Sequence, residues 1–212
     1  MLKLNFNIKL FIVSLLTVLG LSACATHGPA HTGFLSDYSK LQKNPDTEGS
    51  RIYFNPDKSL KNYSRFIINP VQVRLSSKGK MWNVKKDQLH AISQYVHDQF
   101  VSELTKSNYN IVNTPGPETL ILRVAITEVA PTRMINRHSS MMVGGISLGG
   151  ASGEAELIDA LTGDVVVAAV ESQKGEKGFN GLTKYGNAKN VMDRWVKRLI
   201  IRMDQEHGKT RN

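Results

Sequence analysis

Cysteine is almost absent: Cys24 is the single one in 212 residues. A lone cysteine excludes a disulfide framework and a Cys-rich zinc site, so the core must hold by packing alone. Acidic residues are in deficit, 18 against 27 Lys and Arg. Long apolar runs are scarce as well, and the stretch from Leu10 to Leu19 falls short of the roughly 20 residues that cross a bilayer core. No internal repeat recurs, which excludes a solenoid. With 41% hydrophobic and 21% charged residues, the chain has the balance of a globular domain rather than a disordered tail.

The apolar stretch is informative for its surroundings. Lys3 and Lys9 precede its end, and Leu21-Ser22-Ala23-Cys24 follows. A basic start, a short apolar run and small residues at a cleavage point make a secretory signal peptide. These residues resemble those of bacterial lipoprotein precursors, whose lipobox reads Leu, small, Ala or Gly, Cys. The resemblance implies cleavage before Cys24 and a diacylglyceryl thioether on its sulfur, which gives the lone thiol a use. Residues 1–23 hold two lysines and no acids, so their removal leaves 189 residues with a net charge of +7. Ala25, rather than Asp, follows the lipidated cysteine. By the sorting pattern of that class, this implies the outer membrane. A basic exported surface meets anionic headgroups or the acidic groups of the cell wall, and the export signal argues against nucleic acid.

Residues 24–33 read as a flexible tether, and the nine from Ala25 to Gly33 reach at most about 30 Å. Residues 34–63 form an N-terminal extension. Phe34, Leu35, Tyr38 and Leu41 share one face of a predicted short helix, and Asn44 to Asn62 reads as irregular, broken by Pro45, Gly49 and Pro56. The globular domain is placed at 64–206, with a tail at 207–212. Alternation predicts a strand from Phe66 to Leu75, with Pro70 demanding an edge position or a bulge. Further strands are expected at 109–112, 119–129, 154–160 and 165–172. The last two flank Leu161-Thr162-Gly163-Asp164, a hairpin turn that needs one residue at positive φ, assigned to Gly163.

Two helices are predicted. The first spans 85–106, with Leu89, Ile92, Val96, Phe100 and Leu104 on one stripe. The second spans 187–205, with Val191, Trp195, Leu199 and Met203 as its stripe and Asn187 as its cap. Strand, helix, four strands, helix predicts an α+β two-layer sandwich: a mostly antiparallel, four- to five-stranded sheet with two amphipathic helices on one face.

Three stretches carry a second resemblance. They are Gly33-Phe34-Leu35-Ser36-Asp37-Tyr38-Ser39-Lys40-Leu41, Ile67-Ile68-Asn69-Pro70-Val71-Gln72-Val73, and Gly150 to Ala168 with its Glu154-Ala155-Glu156-Leu157 and Asp159-Ala160-Leu161-Thr162-Gly163-Asp164. They resemble the domain-of-unknown-function 3313 lipoprotein family of Gram-negative bacteria. That family implies an envelope lipoprotein and brings no catalytic residues to carry over. In element order the chain also looks like accessory lipoproteins of cell-wall synthases and secretion channels, a likeness of fold alone.

Motifs that name chemistry are weak. Gly145-Ile146-Ser147-Leu148-Gly149 matches the nucleophile elbow of serine hydrolases, which needs a strand, a sharp turn and a helix with acid and base following. Asp159 or Asp164 with His207 fits the order only nominally. His90 and His97 stand seven apart on one helix, where a zinc pair stands four apart. The glycine pairs at Gly144-Gly145 and Gly149-Gly150 lack a phosphate-loop lysine. Glu154 and Glu156 share one strand face and read as a solvated surface. Arg194, Arg198 and Arg202 stack at i, i+4, i+8 as a ridge for an anionic partner or as an ordinary wet face.

The expectation is a non-enzymatic lipoprotein of the outer membrane, lipid-anchored through Cys24, whose periplasmic domain binds an envelope protein complex or peptidoglycan. Arg194, Arg198 and Arg202 are its candidate contacts. No catalytic, cofactor or metal residues are assigned. The alternatives are a periplasmic serine hydrolase using Ser147 and a binder of a small anionic ligand.

Overall fold

The computed structural model describes residues 31–74, 84–131, 149–175 and 184–209. Cys24, the signal and tether residues before His31, and Ser147 lie outside the described residues.

The described residues form eight strands and two long helices. In chain order they are β1 (Gln42–Lys43), β2 (Ser50–Phe54), β3 (Arg65–Ile68), β4 (Gln72–Val73), α1 (Lys86–Lys106), β5 (Asn110–Ile111), β6 (Thr119–Ala130), β7 (Gly150–Asp159), β8 (Val165–Lys174) and α2 (Gly186–Glu206). The sheet runs β1-β2-β8-β7-β6-β3-β5, with β4 also on β6. Both helices pack on one face, as the sequence predicts. The sheet itself is wider and mixed rather than mostly antiparallel. β3 lies parallel to β5 and to β6, and β4 parallel to β6, because α1 carries the chain back over the sheet between them. The antiparallel half is β6-β7-β8-β2-β1. Each outer strand, β1 and β5, is two residues long, which leaves little edge for stray pairing.

Pro70 acts as the sequence suggests. Ile68 pairs with Leu122 and Gln72 with Ala125, so four steps on one strand face three on the other. That extra residue is a bulge, and it accommodates a residue that cannot donate to the ladder. β3 is nevertheless no edge strand, since β5 flanks it. The region from Asn44 to Asn62 is more ordered than its breakers suggest. It contains β2, whose five residues pair with β8 from Ser50↔Glu171 to Phe54↔Val167.

The core between sheet and helices gathers Phe66, Leu120, Leu122, Val124 and Ile126 with Ile92, Val96, Phe100 and Leu104 of α1. On α2 the larger apolar side chains buried there are Val191, Met192, Val196, Ile200 and Met203. The stripe is thus rotated from the expected one, and Trp195 and Leu199 are only half-buried at its margin. Asn187 does not cap the helix, which begins one residue earlier; it is buried as the second helical residue, after Tyr185 at the cap. The end of α2 does not fray at His207. That ring donates its Nδ1–H to the Met203 carbonyl, 2.8 Å away, and packs edge-on against Tyr109.

The β7–β8 turn has the geometry the sequence assigns to it. Gly163 lies at φ 75°, and the Asp159 carboxylate takes the N–H groups of Leu161 and Thr162 at 2.9 and 3.1 Å. Tyr63 and Lys58 also donate to Asp159, at 2.8 and 3.2 Å. Burial pushes its carboxyl up, but these hydrogen bonds outweigh it and hold the group down to about 2. A Cβ at Gly163 would meet nothing within 4 Å, so substitution there strains only the backbone. Gly163→Val is therefore expected to cost about 1–2 kcal/mol, the penalty of the left-handed region for a residue with a Cβ. Thermal melts of the purified protein check this, and an unchanged Tm would refute it.

Candidate functional site

Register places every side chain of β7 on one of two faces. Glu154 stands beside Ala125 and Val170, and Glu156 beside Arg123 and Ala168. That face looks away from the helices. It is not solvated: Glu154 and Glu156 are each 1% exposed, which corrects the sequence expectation. The cover is the N-terminal segment, whose Phe34, Leu35 and Leu41 pack with Ala125, Ala168 and Val170.

Two carboxylates can be buried there because donors meet them. Glu154 accepts from the Thr32 N–H at 2.8 Å and from the Tyr38 hydroxyl. Glu156 accepts from the Ser36 N–H at 2.5 Å and from Arg123 Nη1 at 2.6 Å. Arg123 also lies 4.8 Å from the Phe34 ring centre. The Tyr38 oxygen in turn receives the N–H groups of Gly33, Phe34 and Leu35 at 2.9, 3.0 and 3.3 Å. Burial, then the bond to Glu154, pushes the Tyr38 hydroxyl above its ordinary value, so it remains a donor. Residues 34–41 form no helix; bends and turns run through them instead. The sequence showed the two acids at the right spacing but not the cover that makes them internal.

The helix face carries the concave site. Its floor consists of Gly153, Ala155 and Leu157 of β7, Val167, Ala169 and Glu171 of β8, and Ser50, Ile52 and Phe54 of β2, which the register sets side by side. Over them runs the margin of α2, and the space enclosed is about 440 Å³. It exists because the floor is small where α2 crosses it. Trp195 lies so close to Gly153 that an added Cβ would come within 2.9 Å of its ring. Beyond that contact, Ala155 and Ala169 leave the gap beneath Leu199.

Two of the three ridge arginines stand at the rim of this groove. Arg198 and Arg202 both line it. Arg198 pairs with Glu171, and Arg202 pairs with Glu206 at 3.0 Å while its guanidinium lies 4.8 Å from the ring centre of Phe54. Arg194 donates to the Lys174 carbonyl at 3.4 Å. Burial pushes the Glu171 carboxyl up, opposed by the charge and hydrogen bond of Arg198, the Trp195 indole and the Arg194 charge. The ridge is therefore not a uniform wet face. The rotated stripe of α2 turns it toward the sheet.

The other candidates do not converge. His207 is bound to a main-chain carbonyl, and Asp159 and Asp164 are both engaged by Lys58, at 3.2 and 3.0 Å. Neither Asp159 nor Asp164 therefore serves as the partner of His207. His90 is exposed and His97 lies 3.3 Å from Asp98. No cluster of three metal-binding side chains occurs among the described residues.

Fold and site together define an α+β domain with an apolar groove left open beside its second helix. The chain belongs to the family described as Protein of unknown function (DUF3313), whose model matches residues 30–199. No curated protein matches it. Among solved structures it is similar to the PelC dodecamer from Paraburkholderia phytofirmans, at 12% identity and a TM-score of 0.38, covering 76% of this chain and 98% of that one. A minor lipoprotein from Acinetobacter baumannii gives 10% and 0.33, with 68% and 92% covered. A Xanthomonas campestris protein of the DUF330 family model gives 8% and 0.39, with 74% and 94% covered. Likeness at this level leaves the fold to rest on the strands and helices described above.

Two outcomes are expected. Glu154→Gln should destabilise by about 1–3 kcal/mol, because a charged acceptor is lost from buried donors, and should expose residues 31–41 to protease before global unfolding. Tyr38→Phe should do the same, and protection unchanged in both variants would refute the clamp. For Glu171 the folded value is raised above the ordinary 4.5, so the folded state binds its proton more tightly than the unfolded chain does. Stability should then be gained as pH falls through that raised value and lost above it. The Tm of wild type minus that of Glu171→Gln should rise as pH falls from neutrality toward the ordinary 4.5.

Proposed function

We propose that this chain is a non-enzymatic envelope lipoprotein, tethered through Cys24 to the outer membrane, whose periplasmic domain binds its partner through the groove beside α2. The observation that carries the reading is a concave apolar site of about 440 Å³ with Arg198 and Arg202 on its rim. Such a volume lies within the ~300–1,000 Å³ of small-molecule sites. Of the partners weighed from the sequence, a small anionic ligand fits a concave, arginine-rimmed site better than a protein complex or peptidoglycan does. The hydrolase alternative lacks its acid–base pair among the described residues, which favours a binding role.

The lipobox supports the anchor, and no helix among the described residues is long and apolar enough to cross a membrane. Six residues, seven Cα steps, separate Cys24 from His31, where the described residues begin, so the tether spans at most about 25 Å. The domain then works close to the headgroups, and its basic rim gains from them.

Cys24→Ser should abolish incorporation of radiolabelled palmitate and leave an unprocessed precursor. Equal label on both forms would overturn the lipoprotein reading, and flotation of the wild type with inner-membrane markers would overturn the outer-membrane placement. Removing Arg198 would strand Glu171, so the basic ridge is tested with Arg194→Gln and Arg202→Gln together. That variant should keep its Tm and lose attachment to anionic vesicles, by up to about 1 kcal/mol per charge, with the loss shrinking as salt rises.

A further inference from the structure

We propose that the groove beside α2 takes the hydrocarbon chain of a free long-chain fatty acid, its carboxylate held at the rim by Arg198 and Arg202. This rests on the binding reading above and names the ligand of that same site.

The floor decides the class. Its central strands are saturated: β7 is paired by β6 and β8, and β8 by β2 and β7, so neither offers an edge to an added strand, while β2 meets β1 at Arg51 and Ile52. Away from the row of Ser50, Glu171 and Gly153, where the Trp195 ring sits, the gap is floored and roofed by Ala155, Leu157, Val167, Ala169 and Leu199, which offer no side-chain hydrogen bonds. A peptide or sugar laid along them would bury unpaired polar groups, which costs more than the contact returns. A hydrocarbon chain has none to bury.

The cations of the groove, Arg198 and Arg202, stand at its rim, each with one carboxylate partner, Glu171 and Glu206. Glu171 pairs with Arg198 through one nitrogen of the guanidinium, and that fork carries five N–H donors, enough for a second carboxylate. Arg202 is half-exposed beside Phe54, itself 40% exposed and one of the two exposed large hydrophobic residues described. An apolar step and a cation thus stand together where a headgroup would leave the groove.

The test uses the full chain in its own membranes. Hexadecanoate carrying a mid-chain diazirine is photolysed in place and the cross-links are mapped. They are expected on peptides containing 52–54, 155–157, 167–169 or 195–202. About tenfold excess of unlabelled hexadecanoate should lower them at least fivefold, and hexadecyltrimethylammonium should compete far less. Ala169→Phe, which fills the floor, should abolish them. Should that variant fail to fold, a chain-length series on the wild type decides, because each added methylene is worth about fourfold in affinity until the groove is full. Cross-links elsewhere, equal competition by the cationic amphiphile, a folded Ala169→Phe that still labels, or a flat chain-length series would each overturn the assignment. Failure of the anchoring reading is separate: Cys24→Ser would then fractionate like the wild type, while the cross-link map would be unaffected.

Discussion

Glu154 and Glu156 are carboxylates in the interior, and their need for donors shapes the rest of the molecule. Bringing such a group out of water costs several kcal/mol unless charge and hydrogen bonds meet it. Arg123 supplies the charge, and the N-terminal segment supplies the Thr32 and Ser36 N–H groups and the Tyr38 hydroxyl. The segment cannot lift off without stranding both acids. It therefore serves as a third layer, and the expected two-layer sandwich has its second sheet face closed. Any pull on residues before His31 is delivered to β7, the strand in the middle of the sheet.

The groove follows from a mismatch of widths. Two helices about 10 Å across cover roughly four strands spaced at about 4.8 Å. Seven strands stand side by side in this sheet. α1 sits over the parallel half with α2 beside it, so the flank made by β8 and β2 is roofed only by the margin of α2. Large side chains on that flank would fill the shortfall. Gly153, Ala155 and Ala169 do not, and the gap remains.

The rim has the same origin. With Met192, Val196 and Ile200 inward, Trp195 and Leu199 are shifted to the edge of the core, and the arginines one residue before each, Arg194 and Arg198, come with them. Arg198 then meets Glu171 of β8, so helix and sheet are tied by charge at the point where their apolar contact ends. One rotation of a helix turns a surface ridge into the border of a site.

What the sequence determined by itself is local or periodic. The two helices, the long strands, the Gly163 turn and the bulge at Pro70 all follow from spacing and backbone chemistry that act within a few residues. The family was legible in its three stretches. Tertiary structure decided what depends on partners far along the chain. Strand direction across β3 and β6 is set by where α1 lands, and no residue in those strands encodes it. Two acids at alternate positions read as solvent-facing until a segment more than a hundred residues earlier covers them. The five residues of β2 looked irregular because their order comes from pairing with β8, not from their own propensity. An empty volume has no pattern of its own: Gly153, Ala155 and Ala169 become a floor only when β8 is laid beside β7 and α2 stops above them.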